Sequence, residues 1–230
     1  MSELALIILI AWLAGVAAFA GGVVARLEGS EDTEAKAELV HGVVAFGGGV
    51  LLAAVAFALV PEGMARLGAP ALAASFVAGG VVFSGADGYL QKRGESRAQF
   101  MAMLMDFVPE AIALGALFAE DRALGALLAA FIAAQNLPEG FASYREMVRS
   151  GNRPRAVLLA LLGVSALGPL ASSGGYLYLR DHAQFVAAVM VFAAGGITYL
   201  VFQDIAPQAR MRRHWLPTLG AVLGFACGML

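Results

Sequence analysis

The sequence has little of what soluble enzymes and nucleic-acid-binding proteins use. Only 14% of its 230 residues are charged, whereas a soluble domain carries roughly a quarter. Its one cysteine, Cys227, excludes an intrachain disulfide and a multi-cysteine metal site. Its net charge is only −2 and it has no basic run, so we do not expect nucleic acid as a partner. Neither His-Glu-x-x-His nor Gly-x-Ser-x-Gly occurs, so a membrane enzyme such as a metalloprotease, or an organic cofactor, is not expected.

Apolar residues are abundant instead, at 60% of the chain, and the mean hydropathy is +0.78. They come in blocks of roughly twenty residues, the length of a helix that crosses a hydrocarbon core. We therefore predict an all-α integral membrane protein with one domain, residues 1–230. The eight predicted transmembrane helices span approximately 4–25, 39–60, 70–90, 100–119, 123–144, 156–179, 185–202 and 216–230. No Lys or Arg precedes the first block, which favours a retained helix over a cleaved signal peptide.

The positive charges are distributed unevenly between the two sets of loops. The loops after the first, third, fifth and seventh predicted helices contain Arg26, Lys36, Lys92, Arg93, Arg97, Arg145, Arg149, Arg153, Arg155, Arg210, Arg212 and Arg213. The other loops contain only Arg66, Arg122 and Arg180. The positive-inside rule places the first set in the cytoplasm and both termini outside. We expect a multi-pass protein of the plasma membrane, such as a bacterial inner membrane, with the acidic run Glu28–Glu38 as a solvated loop.

One motif occurs twice. Asp106-Phe-Val-Pro-Glu110-Ala recurs 29 residues later as Gln135-Asn-Leu-Pro-Glu139-Gly, on the next helix, which runs in the opposite direction. A weaker echo links Gly48-Gly49 and Pro61-Glu62 with Gly195-Gly196 and Pro207-Gln208. Inverted halves around a site at the midplane are common in transporters.

The repeated motif concentrates the polar residues of the predicted membrane interior. An ionisable residue at the centre of a membrane helix costs at least ~2.5 kcal/mol and is usually functional. Asp106 and Glu110 are four residues apart and therefore face one side of their helix. Gln135 and Glu139 have the same spacing on the next helix, and Asn136 is adjacent to Gln135. The proline before each glutamate releases a backbone carbonyl. Carboxylates crowded in a low dielectric must take up protons or bind a cation.

A divalent metal ion bound by Asp106, Glu110, Gln135, Asn136 and Glu139 meets that requirement. The alternative is that the acids are protonated and form hydrogen bonds that hold the helices together. Three other acids have two interpretations each. Glu62 is an entry ligand or a solvated helix end at the outer mouth. Asp87 and Asp204 form an exit path or contact headgroups near the cytoplasmic ends.

These features resemble the ZIP family of metal-ion transporters over nearly the whole chain. The two Pro-Glu motifs are similar to the family's signature, usually His-Asn-x-Pro-Glu-Gly on the fourth helix and His-x-x-Pro-Glu-Gly on the fifth. Ala45-Phe-Gly-Gly-Gly and Gly195-Gly-Ile-Thr-Tyr199 are similar to its second and seventh helices. The resemblance implies a transporter that moves a divalent metal ion, such as zinc, iron, manganese or cadmium, into the cytoplasm. It also allows a homodimer.

The departures from the family pattern affect the expected site. Asp106 and Gln135 stand where the family has histidines. Phe107 replaces the usual asparagine, and Gly168 stands where the sixth helix usually has a glutamate. Because two-metal members use that asparagine and that glutamate, we predict a single site. Its oxygen-only ligands suit Mg²⁺, Mn²⁺ or Fe²⁺ and weaken a preference for Zn²⁺. The lost ligands also motivate an alternative, a non-transporting membrane scaffold or metal receptor.

Overall fold

The computed structural model describes residues 2–29, 33–92, 98–211 and 214–229, which are almost entirely helical and contain no strand. We number the helices of these residues in chain order. They are α1 Glu3–Glu28, α2 Glu34–Arg66, α3 Ala69–Lys92, α4 Ala98–Glu120, α5 Arg122–Arg149, α6 Pro154–Leu179, α7 Ala183–Ala209 and α8 Leu216–Cys227. The prediction of an all-α chain is confirmed.

Five helices of the described residues are long and apolar enough to cross a membrane. They are α1, α2, α6, α7 and the part of α3 from Ala69 to Leu90. The helices α4 and α5, which carry the two Pro-Glu motifs, are not among these five. The helix α8 has 12 residues. These lengths and compositions are compatible with a membrane protein.

Several helices extend beyond their predicted bounds. The helix α2 begins at Glu34 rather than at residue 39 and ends at Arg66 rather than at 60. Similarly, α5 continues to Arg149 and α7 to Ala209. Hydropathy marks only the apolar part of a helix, whereas hydrogen bonding continues through polar turns at its ends. In contrast, α8 ends at Cys227, and Leu230, in the predicted span, lies outside the described residues.

The helices α2 and α7 share an irregular turn that agrees with the weak sequence echo. A five-residue π-helical turn, Val55–Leu59, lies two positions before Pro61 in α2. The turn Val201–Ile205 has the same relation to Pro207 in α7. The widened turn lets each helix continue through its proline. Such π-helical turns are frequent at functional sites.

Glycines bring several pairs of helices close together. A side chain at Gly21, Gly49, Gly79 or Gly115 would overlap the backbone of α5, α8, α7 or α6, respectively. Helix pairs in membranes use small residues in this way because close backbone approach increases van der Waals contact. Helices α1, α4, α5 and α6 pack together as one group, which we call the site bundle. Helices α2, α3, α7 and α8 form the companion bundle, which contacts the first mainly through α2 with α5 and α4 with α7.

Side-chain contacts define the relative directions of the helices. Arg122 bonds Glu3 at one end of the α1–α5 pair, and Arg145 bonds Glu28 at the other, so these helices run parallel. Consecutive helices run in opposite directions. Between α4 and α5, for example, Glu110 contacts Gln135, whereas Phe118, farther along α4, contacts Gly125, which comes earlier in α5. The arginines and lysines that follow the first, third, fifth and seventh predicted helices therefore lie at one end of the fold, as far as the structure describes them. We call this the basic end. Arg66, Arg122 and Arg180 lie at the opposite end.

Candidate metal site between helices 4 and 5

Helix α4 places two carboxyl groups in the interior. Asp106 and Glu110 are 2% and 1% exposed, one helical turn apart on the same face. The carboxylate of Asp106 accepts a 2.8 Å hydrogen bond from the backbone N–H of Phe107. Pro109 lies inside the helix directly before Glu110 and leaves a backbone carbonyl without its usual donor. Two acidic groups and a weakened stretch of helix therefore occupy one buried face.

Helix α5 presents its copy of the motif between two glycine-lined surfaces. Gln135, Asn136 and Glu139 are all buried. A Cβ atom at Gly47 of α2 would lie 2.9 Å from Cγ of Pro138, so glycine leaves room there for the proline ring. On the other side, Gly140 packs against the backbone of α1. These contacts fix the motif at the boundary of the two bundles.

The two motifs meet through Gln135 and Glu110. The Gln135 Nε2 group donates a 2.6 Å hydrogen bond to Oε2 of Glu110. Three other oxygens of the motifs are buried without a hydrogen-bond partner among the described residues: Glu110 Oε1, Gln135 Oε1 and Glu139 Oε2. Buried oxygen atoms without donors carry a desolvation cost, and a cation would remove that cost.

A small cavity adjoins the motifs on the side of the basic end. Asp106, Glu139 and Asp204 line it together with apolar residues of α2, α4 and α7. Its volume is about 10 Å³, the lower limit for one water molecule. The Asp106 carboxyl repels that of Glu110, and Glu139 is repelled by both. The cavity thus joins the motifs of the site bundle to an acid of the companion bundle.

Asp204 belongs to a second acidic group toward the basic end. It lies in the π-helical turn of α7 and is half-buried. The hydroxyl of Tyr199 donates a 2.9 Å hydrogen bond to Asp87, which is 7% exposed. Asp204 and Asp87 repel each other electrostatically. The sequence placed both acids near the cytoplasmic ends of their helices, and in the structure both lie toward the basic end.

Asn136 has a different environment from its neighbour. Its amide nitrogen donates a 2.9 Å hydrogen bond to the backbone carbonyl of Ala14 in α1. This bond joins α1 to α5 within the site bundle. The role of Asn136 as a metal ligand stays a prediction.

The two departures from the family pattern lie side by side. A Cβ atom at Gly168 of α6 would lie 3.1 Å from Cζ of Phe107 and 2.6 Å from the carbonyl oxygen of Ala11. A Cβ atom at Gly15 of α1 would also lie 3.1 Å from the Phe107 Cζ atom. The aromatic ring, 1% exposed, fills the space between α1, α4 and α6. Neither Gly168 nor Phe107 brings a polar side chain to the site.

Ion pairs close the fold at the opposite end. Arg66 of α2 pairs with Glu62 on its own helix and with Glu120 of α4, at 2.8 Å from Nη2 to Oε1. The gap beside Ala116, below these ion pairs, leaves no space for a water molecule. Glu62 is therefore an ion-pair partner rather than a solvated helix end.

Sequence reasoning missed the ion pairs at the helix ends. It did not predict the pair of Arg66 with Glu120 or that of His214 with Glu34, at 2.9 Å. It placed Glu28 in a solvated loop, which is wrong: Glu28 ends α1 and binds Arg145. These partners are far apart in the chain, and the only available signal was their opposite charge. Acidic residues 31 and 32 of the same run lie outside the described residues.

The site offers oxygen donors to a cation, although its carboxyl groups are spread along the helices. Among the described residues, no three His, Cys, Asp or Glu side chains converge closely enough to hold a metal ion. Two donor groups that do lie close together are the carboxylate of Glu110 and the side-chain amide of Gln135. The sequence matches no protein-family model and no curated protein.

Proposed function

We propose that this protein is a divalent metal-ion transporter of the plasma membrane. In this proposal the eight helices each cross the bilayer, with the basic end in the cytoplasm and both termini outside. The alternating helix directions and the gathering of the basic residues at one end support this topology. The proposal keeps the resemblance to the ZIP family, which rests on the paired Pro-Glu motifs.

The observation that carries the proposal is the set of unpartnered oxygens on Glu110, Gln135 and Glu139. Lipid supplies no hydrogen-bond donors, so a buried oxygen in a membrane helix must find a partner within the protein or bind a cation. Three such oxygens on two adjacent helices, beside two prolines, favour a cation. The ion binds as transported substrate and exchanges with protons, because only ionised carboxylates are strong ligands.

The same geometry favours one metal ion and oxygen ligands. Phe107 fills the space next to Gly168, where two-metal members of the resembled family have a polar residue on each helix. The proposed donors are Asp106, Glu110, Gln135, Asn136 and Glu139. Carboxylate and amide oxygens suit Mg²⁺, Mn²⁺ or Fe²⁺ better than mixed nitrogen and oxygen ligands do.

The proposed route toward the cytoplasm passes Asp204 and Asp87. The cavity shared by Asp106, Glu139 and Asp204 connects the motifs with the acidic group near the basic end. The opposite end is closed by Arg66 and its partners. This asymmetry supports a conformation in which the site is closed toward the outside and is separated from the cytoplasm by less packing.

The test is ion flux into liposomes that contain the purified protein and an ion-sensitive dye. We expect uptake of at least one of Mn²⁺, Fe²⁺, Zn²⁺, Cd²⁺ and Mg²⁺ above that of protein-free liposomes. The absence of flux for every ion of this panel would favour a scaffold or metal receptor. That second function is motivated by the missing histidines and sixth-helix glutamate.

A further inference from the structure

A second polar cavity lies at the basic end, between the ends of α1, α5 and α6. Its volume is about 410 Å³. Arg26 of α1 and Arg145 and Arg149 of α5 line it, with Tyr144 beside them. No Asp or Glu lines it among the described residues. The cavity therefore brings three arginines together where α1 and α5 end and α6 begins.

Arg145 is held in a buried position at the wall of this cavity. It is 9% exposed, pairs through Nη1 with Glu28, and lies over the ring of Phe141 at 5.8 Å. Its Nε group has no hydrogen-bond acceptor among the described residues. Glu28 is shared with Lys36, whose Nζ lies 3.8 Å from Oε1. One carboxylate thus faces two cations, and the guanidinium keeps an unused donor.

The start of α6 forms one wall of the cavity. Pro154, its first residue, lines the cavity but carries no backbone N–H. The N-terminal end of a helix still bears a partial positive charge, which favours an anion. The helix end and the arginines therefore act on the same space.

We propose that this cavity binds a phosphate group, with the chemistry of an anionic phospholipid headgroup or of free phosphate. Arginine binds phosphate through two parallel N–H donors, which gives both strength and orientation. Basic pockets between helices at the cytoplasmic side of membrane proteins bind such headgroups. The lipid source rests on the proposed membrane topology, whereas neither source requires metal transport.

The test measures binding to the full chain in neutral detergent, by native mass spectrometry and by thermal unfolding. The probes are phosphatidylglycerol, phosphatidylcholine as the zwitterionic lipid, and inorganic phosphate. The variant Arg26→Gln/Arg149→Gln removes two cavity charges. The control Arg155→Gln/Arg210→Gln removes two exposed charges at the same end that do not line this cavity.

We expect the wild type to bind phosphatidylglycerol more tightly than phosphatidylcholine. Loss of two arginines near a headgroup corresponds to about 30-fold weaker binding of phosphatidylglycerol, and the control should keep the wild-type affinity. The alternative outcome is that inorganic phosphate competes with the lipid or binds in its place. If that binding depends on Arg26 and Arg149 in the same way, it supports the site and identifies free phosphate as the ligand.

Arg145→Lys provides a second variant, because it keeps the charge that Glu28 requires but loses the two-pronged donor. We expect weaker phosphatidylglycerol binding with unfolding at nearly the wild-type temperature. Equal binding of the lipid to the wild type and to Arg26→Gln/Arg149→Gln would overturn the proposal, as would equal loss in the control. These readouts do not depend on ion flux, so failure of the metal-transport proposal would be seen separately.

Discussion

The side-chain amide of Gln135 on α5 donates a 2.6 Å hydrogen bond to the carboxylate of Glu110 on α4. This bond joins the two copies of a repeated motif at the middle of neighbouring, oppositely directed helices. It uses the nitrogen of the amide, so the oxygen of Gln135 stays unpartnered in the interior. The pair therefore presents oxygen atoms from both helices to one small volume.

The first prediction concerns ion selectivity at Gln135. Gln135→His introduces an imidazole, which zinc prefers more strongly than manganese does. We expect the ratio of Zn²⁺ to Mn²⁺ flux in liposomes to rise several-fold. Gln203→His, which places an imidazole on an exposed position of α7, is the control and should leave the ratio unchanged. A lower unfolding temperature without any change in selectivity would instead support a purely structural hydrogen bond.

The second prediction concerns the space beside Phe107. Gly168→Ala places a Cβ atom 2.6 Å from the Ala11 carbonyl oxygen, so α1 and α6 must separate. We expect it to lower the free energy of unfolding by about 1–3 kcal/mol, as overpacking typically does. Gly163→Ala in the same helix meets nothing within 4 Å and should gain up to about 1 kcal/mol from helix propensity.

Thermal unfolding of both variants in detergent measures this difference. Equal unfolding temperatures for Gly168→Ala and Gly163→Ala would contradict the tight packing of α1, α4 and α6. The filled space that argues against a second metal ion would then have no support.

The third prediction concerns the ion pair between Arg66 and Glu120, which links the two bundles at the opposite end. A partly exposed ion pair contributes about 0–1 kcal/mol, so its loss shifts a two-state equilibrium by at most about fivefold. In a Cys227→Ser background, Ala116→Cys reports on opening, because Ala116 is buried beside the closed gap. We expect Arg66→Gln to increase labelling of this cysteine by a membrane-impermeant thiol reagent up to about fivefold.

Arg122→Gln is the matched control for that experiment. Arg122 also pairs with a glutamate at the opposite end, Glu3 at 3.0 Å, but both residues belong to the site bundle. Its loss should leave the labelling rate unchanged. Equal acceleration by both variants would show that labelling reports general loosening rather than separation of the bundles.

The fold and the motif residues differ in how far the sequence could predict them. Apolar blocks predicted the helices because lipid and packing both select apolar residues at this spacing. They could not predict that α2 continues to Arg66 or α7 to Ala209, since hydrogen bonds through a π-helical turn have no hydropathy signature. The weak echo of glycines and prolines indicated that the two helices are related, but not that both contain the same irregular turn.

The candidate site shows the same division. The four-residue spacing predicted that Asp106 shares a face with Glu110 and that Gln135 shares a face with Glu139. The contact between Phe107 and Gly168 was not predictable, because it depends on how closely glycines let α1, α4 and α6 approach. The link from Asp106 to Asp204 likewise depends on the packing of one bundle against the other.

Metal flux through variants at Glu110 and Glu139 decides whether the repeated motif binds the transported ion. Glu→Gln keeps the shape of each side chain and removes the negative charge, and Glu→Ala removes the donors altogether. Proteoliposomes with matched protein content are loaded with a metal-sensitive dye, and the initial uptake rate is measured for the ion that the wild type transports best. We predict at least about a tenfold loss of uptake for each Glu→Ala variant, equivalent to about 1.4 kcal/mol. Wild-type rates in both Glu110→Ala and Glu139→Ala would contradict the assignment of this site.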